Sequence, residues 1–76
     1  MRYKTTADKR ARDERWKVLG MQVMDALDRR GEVLADLARA LDVRSETAYG
    51  YVSGRITPSW QRMAQLEQIY NLAPAE

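Results

Sequence analysis

Trp16, Leu19, Val23 and Leu27 recur at spacings of three and four along a stretch with no proline, and its only glycine is Gly20. That spacing marks one face of an amphipathic helix, and it predicts a helix from about Ala7 to Arg30, closed by Gly31. A single helix cannot bury its own apolar stripe, so the remaining residues must fold against it. Met24 lies beside the stripe and is expected to widen it, with Val18 and Met21 toward its edge.

Glycine and proline are scarce enough to act as punctuation for the rest of the chain. A second helix is predicted from about Val33 to Leu41, with Leu34, Leu37, Ala38 and Leu41 on its inner side. Asp42, Val43 and Arg44 interrupt it. Ser45 is expected to cap a third helix, 45–53, that turns Ala48, Tyr51 and Val52 inward and stops at Gly54, which tolerates the positive φ needed just past a helix end. After a loop through Arg55, Ile56 and Thr57, Pro58 and Ser59 open a fourth helix lined on its inner side by Trp60, Met63, Leu66, Ile69 and Tyr70. With no strand signal, the expected fold is all-α, a compact bundle of four to five helices. Residues 1–6 form a basic arm and 7–76 the folded domain.

The chain of 76 residues is long enough for one core, which disfavours a substrate-sized catalytic cleft. It contains neither histidine nor cysteine, so it lacks the usual nitrogen and sulfur ligands of zinc, and no disulfide framework can form. No phosphate loop or paired-carboxylate motif gives its serines and acids a catalytic role. The expectation is a protein that is not an enzyme and carries no cofactor. The segment after Met1 has no apolar run of the length a signal peptide or membrane span needs, so a cytoplasmic, nucleoid-associated location and no membrane partner are expected.

Charge is unevenly placed although the net value is only +2. The first 17 residues hold seven Lys or Arg against three acids. Residues 18–43 hold three basic groups against five acids, and residues 44–76 hold three of each. A basic leading segment of this kind reads either as a solvated face or as an arm that seeks phosphates. Two short helices separated by a turn of three to four residues are also the arrangement that presents a helix to a DNA major groove, although helical hairpins that merely pack are common.

The run Leu37-Ala38-Arg39-Ala40-Leu41-Asp42-Val43-Arg44-Ser45-Glu46-Thr47, followed by Ser53-Gly54-Arg55-Ile56-Thr57-Pro58-Ser59, resembles the phage-repressor and Cro-like (Xre-type) helix-turn-helix family over roughly residues 19–72. The matching features are the Leu-Ala pair, the small apolar Val43 at the turn, the apolar pair inside the third helix, and Gly54 followed by a basic residue and Pro58. The resemblance implies a lambda-repressor-like bundle and a sequence-specific transcription regulator, repressor-like and of bacterial or phage origin. Such a protein binds double-stranded DNA by laying its 45–53 helix in the major groove.

Carried over by position, the resemblance places Ser45, Glu46, Tyr49 and Gly50 at base edges. It places Arg44, Thr47, Ser53, Arg55 and Thr57 near phosphates, with Arg2 and Lys4 of the arm supplying further positive charge. Serine can pair with several bases, and Glu46 can accept from cytosine N4. Each also has a plainer role, Ser45 as a cap and Glu46 as a first-turn acid favoured by the helix dipole. Three positions depart from the family pattern. Val33 and Leu34 stand where polar residues commonly open the second helix, Val52 replaces an acid, and Gly50 occupies a mid-helix position expected to face the groove. A weakly basic, aromatic third helix leaves open a second reading, a protein-interaction module that binds another regulator or a polymerase subunit through Tyr49, Tyr51 and Val52. A homodimer on DNA is the remaining partner to consider, through Val18 and Met21 of the first helix or through the Leu72-Ala73-Pro74 segment.

Overall fold

A computed structural model describes the backbone of residues 4–72 and the side chains of residues 7–72. Its four helices are α1 (Lys4–Arg30), α2 (Leu34–Leu41), α3 (Ser45–Val52) and α4 (Trp60–Ile69). The fold among the described residues is all-helical. α1 begins three residues earlier than the spacing predicted, taking in Lys4, Thr5 and Thr6. α2 and α3 agree with the expected bounds to within a residue at each end, and α4 begins at Trp60, two residues after Pro58.

At 1.5 Å per residue the 27 residues of α1 span about 40 Å, which accounts for the long dimension of a molecule measuring 42 × 28 × 17 Å. α3 and α4 pack on this rod, and α2 packs on α3 and α4. Trp16, Leu19, Val23, Ala26 and Leu27 of α1 meet Leu37, Ala38 and Leu41 of α2, Ala48 and Tyr51 of α3, and Met63, Leu66 and Tyr70 at the end of α4 in one core. Pro58 is fully buried beside it, although it reads in sequence only as a helix opener.

Two expectations about the apolar residues are corrected. Met24 does not widen the buried stripe but stands 46% exposed, and Trp60 turns outward at 42% exposure. The Trp60 indole N–H donates to the Asp8 carboxylate at 2.8 Å, so its polar edge ties α4 to the leading turns of α1 while its ring stays at the surface.

A left-handed residue follows every helix, Gly54 (φ 84°) standing just past α3 as expected, and at the other three it closes the last turn. Gly31 (φ 70°) closes α1, Asp42 (φ 58°) closes α2 and Asn71 (φ 55°) follows α4. In each case the next residue's N–H returns to a carbonyl of the last turn: Glu32 to Leu27 at 2.8 Å, Val43 to Ala38 at 2.9 Å, and Leu72 to Glu67 at 2.8 Å. Asp and Asn adopt this conformation more readily than other side chains, so the sharp turn between α2 and α3 is written in Asp42 without a glycine.

Carbonyls at the C-terminal ends of three helices are also capped from across the fold. Arg62 of α4 donates to Leu41 O at 3.1 Å, Trp16 of α1 donates to Tyr51 O at 2.9 Å, and Arg30 of α1 donates to Ile69 O at 3.3 Å. The Tyr51 carbonyl also accepts from the Gly54 N–H at 3.2 Å, and each of the three cross-fold bonds fixes one helix against another. The Arg15–Glu67 ion pair at 2.7 Å, the least exposed in the molecule among the described residues, adds a further tie between α1 and α4.

Candidate nucleic-acid interface

α3 is eight residues long and its inner face is fully committed. Ala48 is completely buried, and Tyr51 meets Trp16 edge-on with ring centroids 6.3 Å apart. The opposite face is left in solvent. Ser45, Glu46 and Tyr49 all lie exposed there, one turn or less apart along the helix, and Tyr49 is 56% exposed. Arg44 precedes them at the helix N-cap, with extended backbone (φ −74°, ψ 155°) and no side-chain cap bond. The expected capping role of Ser45 is therefore corrected: Ser45 is the first helical residue, and its hydroxyl projects from the first turn.

Gly50 does not share this face. It is buried, and a Cβ built on it would lie 2.5 Å from Ile56 Cδ1 and 3.0 Å from Ile56 Cγ1. The expectation of a groove-facing glycine is thus replaced by a packing role. The chain doubles back after Gly54 (φ 84°), the Ile56 N–H donates to Gly50 O at 3.0 Å, and the Ile56 side chain lies across the space a larger residue would need. Because alanine is favoured over glycine in a helix by about 1 kcal/mol, the two effects oppose each other. Gly50→Ala is expected to stabilise the chain by about 1 kcal/mol when made in an Ile56→Ala background, and by clearly less, or not at all, in the native one. A urea-denaturation double-mutant cycle that returns equal effects in both backgrounds would contradict this account.

The residues expected near phosphates fall into four groups. Arg44 and Arg55 are exposed and make no ion pair among the described residues, so both guanidinium groups are available. Thr47 is half-buried, and Ser53 is exposed with its hydroxyl donating to Gly50 O at 3.2 Å. Thr57 is half-buried and its hydroxyl is already spent, donating to Asp13 Oδ1 at 2.6 Å. Arg2 lies outside the described residues, as does the side chain of Lys4, whose backbone forms the first residue of α1 and does not precede the helix.

In the sequence Arg12 and Asp13 read only as charges of a basic segment. In the fold they position the loop that carries Arg55. Arg12 donates to Thr57 O and Pro58 O, both at 3.4 Å, while Asp13 accepts from Thr57. The Thr57 hydroxyl, and behind it Lys9 at 3.1 Å, hold the Asp13 carboxyl below the usual carboxylate range. A spacing of about four residues between an arginine or acid and the apolar stripe gave the only hint, because such positions border a buried face. At the other end of the arrangement, the Val33 N–H donates to Asp36 at 2.9 Å and Arg39 pairs with the same carboxylate at 2.9 Å. These bonds lower the Asp36 pKa, the Val33 bond most of all, and they stand in for the polar cap that Val33 cannot supply.

The resulting surface is a short helix with a polar outer flank, one free guanidinium at its start and another just past its end. Among the described residues no cluster of three or more potential metal ligands occurs, and no helix is long and apolar enough to cross a membrane. Comparison of the chain with protein-family models, curated proteins and solved structures finds no match.

Proposed function

We propose that this chain is a sequence-specific, double-stranded-DNA-binding transcription regulator, repressor-like and acting in a bacterium or its phage, in which α2, the Asp42–Arg44 turn and α3 work as a helix-turn-helix. The observation that carries the reading is the shared exposure of Ser45, Glu46 and Tyr49 on one face of a helix whose other face is locked into the core. A rigidly held helix of that length fits a major groove, which is wide enough to admit it. Ser45 then pairs with a base edge, Glu46 accepts from cytosine N4, and Tyr49 packs on a thymine methyl or reaches a phosphate. Arg44 at the start of the helix and Arg55 just past its end supply the positive charge for backbone phosphates. Thr47 and Ser53 add polar contacts, and the leading segment with Arg2 and Lys4 contributes further positive charge. The resemblance of residues 19–72 to the Xre-type family supports the same assignment.

Selection of bound duplexes from a random pool, followed by fluorescence anisotropy on the winner, tests it. With about four to six phosphates neutralised, log K is expected to fall against log salt with a slope near −4 to −5. Tyr49→Ala is expected to weaken the selected duplex, and to leave random duplex unchanged if Tyr49 packs on a base and not on a phosphate. A pool that yields no enriched sequence, or a flat salt response, would sink the reading.

A second reading has its own observation. The outer face of α3 pairs an acid with an aromatic side chain that has no protein partner among the described residues, a combination suited to a protein surface. If Tyr49→Ala abolishes capture of a regulator or polymerase subunit and leaves duplex affinity intact, that reading replaces the first.

A further inference from the structure

The long helix α1 presents a second, unpartnered face. Val18, Met21 and Met24 stand 51%, 74% and 46% exposed, and beside them α1 and the 51–57 segment enclose a groove of about 700 Å³ whose floor includes Trp16, Gly20 and Val52. Lys17, Met21, Met24 and Asp28 follow one another at steps of four, three and four, so they form a single seam along the outside of α1. Lys17 lies 3.7 Å from Glu14 in a pair with both side chains largely in solvent, a contact of little worth, and Asp28 has no ion pair among the described residues.

We propose that a second copy of this chain packs antiparallel along this face. The register follows from the charges. Setting Met21 against Met24 of the second copy also sets Lys17 against Asp28 of that copy, and two-fold symmetry repeats both pairs. A parallel arrangement would instead oppose Lys17 to Lys17 and Asp28 to Asp28, so the same charges that favour one direction penalise the other. The seam carries two methionines per chain, which fits a weak, concentration-dependent dimer and not an obligate one. Methionine's flexible, polarisable side chain suits a contact of that kind.

Sedimentation velocity across a concentration series, with no DNA present, tests the dimer separately from duplex binding. The wild-type chain is expected to shift from monomer to dimer as concentration rises. Met21→Lys and Lys17→Asp are each expected to raise the dissociation constant by about tenfold or more. Adding Asp28→Lys to Lys17→Asp re-pairs opposite charges and is expected to restore association. All of these side chains are exposed, so unchanged far-UV circular dichroism and melting temperature will show that the variants fold. A monomer at every concentration up to the millimolar range gives the face to a different occupant and overturns the proposal. A dimer that Lys17→Asp leaves intact, or that the double variant fails to restore, overturns it equally.

Discussion

Trp16→Ala is expected to lose about 3–5 kcal/mol of stability, the range for removing a large aromatic side chain from a core. A chain of 76 residues at about 0.05–0.15 kcal/mol per residue has only some 4–11 kcal/mol in total, so the substitution leaves it close to unfolding. The loss has two parts. The ring fills the space between α1 and α3 at 6% exposure, and its N–H caps the Tyr51 carbonyl at 2.9 Å. Trp16→Phe separates them, since it retains most of the ring's burial but leaves the carbonyl with one partner fewer; it is expected to cost about 1–2 kcal/mol. Urea denaturation followed at 222 nm measures both. A Trp16→Ala chain within 1 kcal/mol of wild type, an order-of-magnitude threshold, would show that α3 is held by something other than this contact. Local consequences follow as well. Eight residues cannot hold a helix in water unaided, so α3 is expected to loosen first, and any activity of its outer face should disappear before the chain as a whole unfolds.

Reversing both free guanidinium groups, Arg44→Glu together with Arg55→Glu, is expected to lower duplex affinity by at least about a hundredfold near physiological salt and to flatten the salt slope by about 2. On the proposed DNA-binding reading, two phosphate contacts are lost and two repulsive charges take their place. Neither arginine has an ion pair or a side-chain hydrogen bond among the described residues, so the melting temperature is expected to stay close to that of wild type. Arg12 offers the contrasting control. It sits one helical turn from Lys9 and Trp16 in the same basic stretch, but its guanidinium is turned inward to the Thr57 and Pro58 carbonyls. Arg12→Ala should therefore act by loosening the loop that carries Arg55, which would appear as reduced stability together with a smaller loss of affinity. Anisotropy titrations at several salt concentrations distinguish the two patterns. Equal affinities for wild type and the double reversal would remove Arg44 and Arg55 from the interface.

The division between what could be read and what could not follows the range of the forces involved. Helical periodicity is a local property, and it located Leu19, Val23 and Leu27, then Leu37, Ala38 and Leu41, then Ala48 and Tyr51, and last Met63, Leu66 and Tyr70 as core residues before any fold was known. The glycine at position 31 marked the end of α1 because a positive φ is a demand of the backbone itself. Trp60 failed by the same logic. At the first turn of α4 its periodicity points inward, but a hydrogen bond to Asp8, 52 positions earlier, holds it at the surface.

The candidate site shows the same boundary. Ser45, Glu46 and Tyr49 share a face because of their spacing on a single helix, which one-dimensional reasoning handles well. Gly50 carries the same spacing yet is covered, since Ile56 folds back over it through a turn whose path depends on Gly54 and on the loop's attachment to α1. Thr57 is likewise diverted to Asp13, 44 residues away.

The order of apolar and polar residues thus determined which segments become helices and which side of each is buried, because both depend on neighbours within a turn or two. Only the packing of those helices decided which polar groups remain free. Hydrogen bonds across 44 and 45 positions have no periodic trace in the chain, and they claim Arg12, Asp13 and Thr57 for the scaffold while Arg44 and Arg55 stay in solvent.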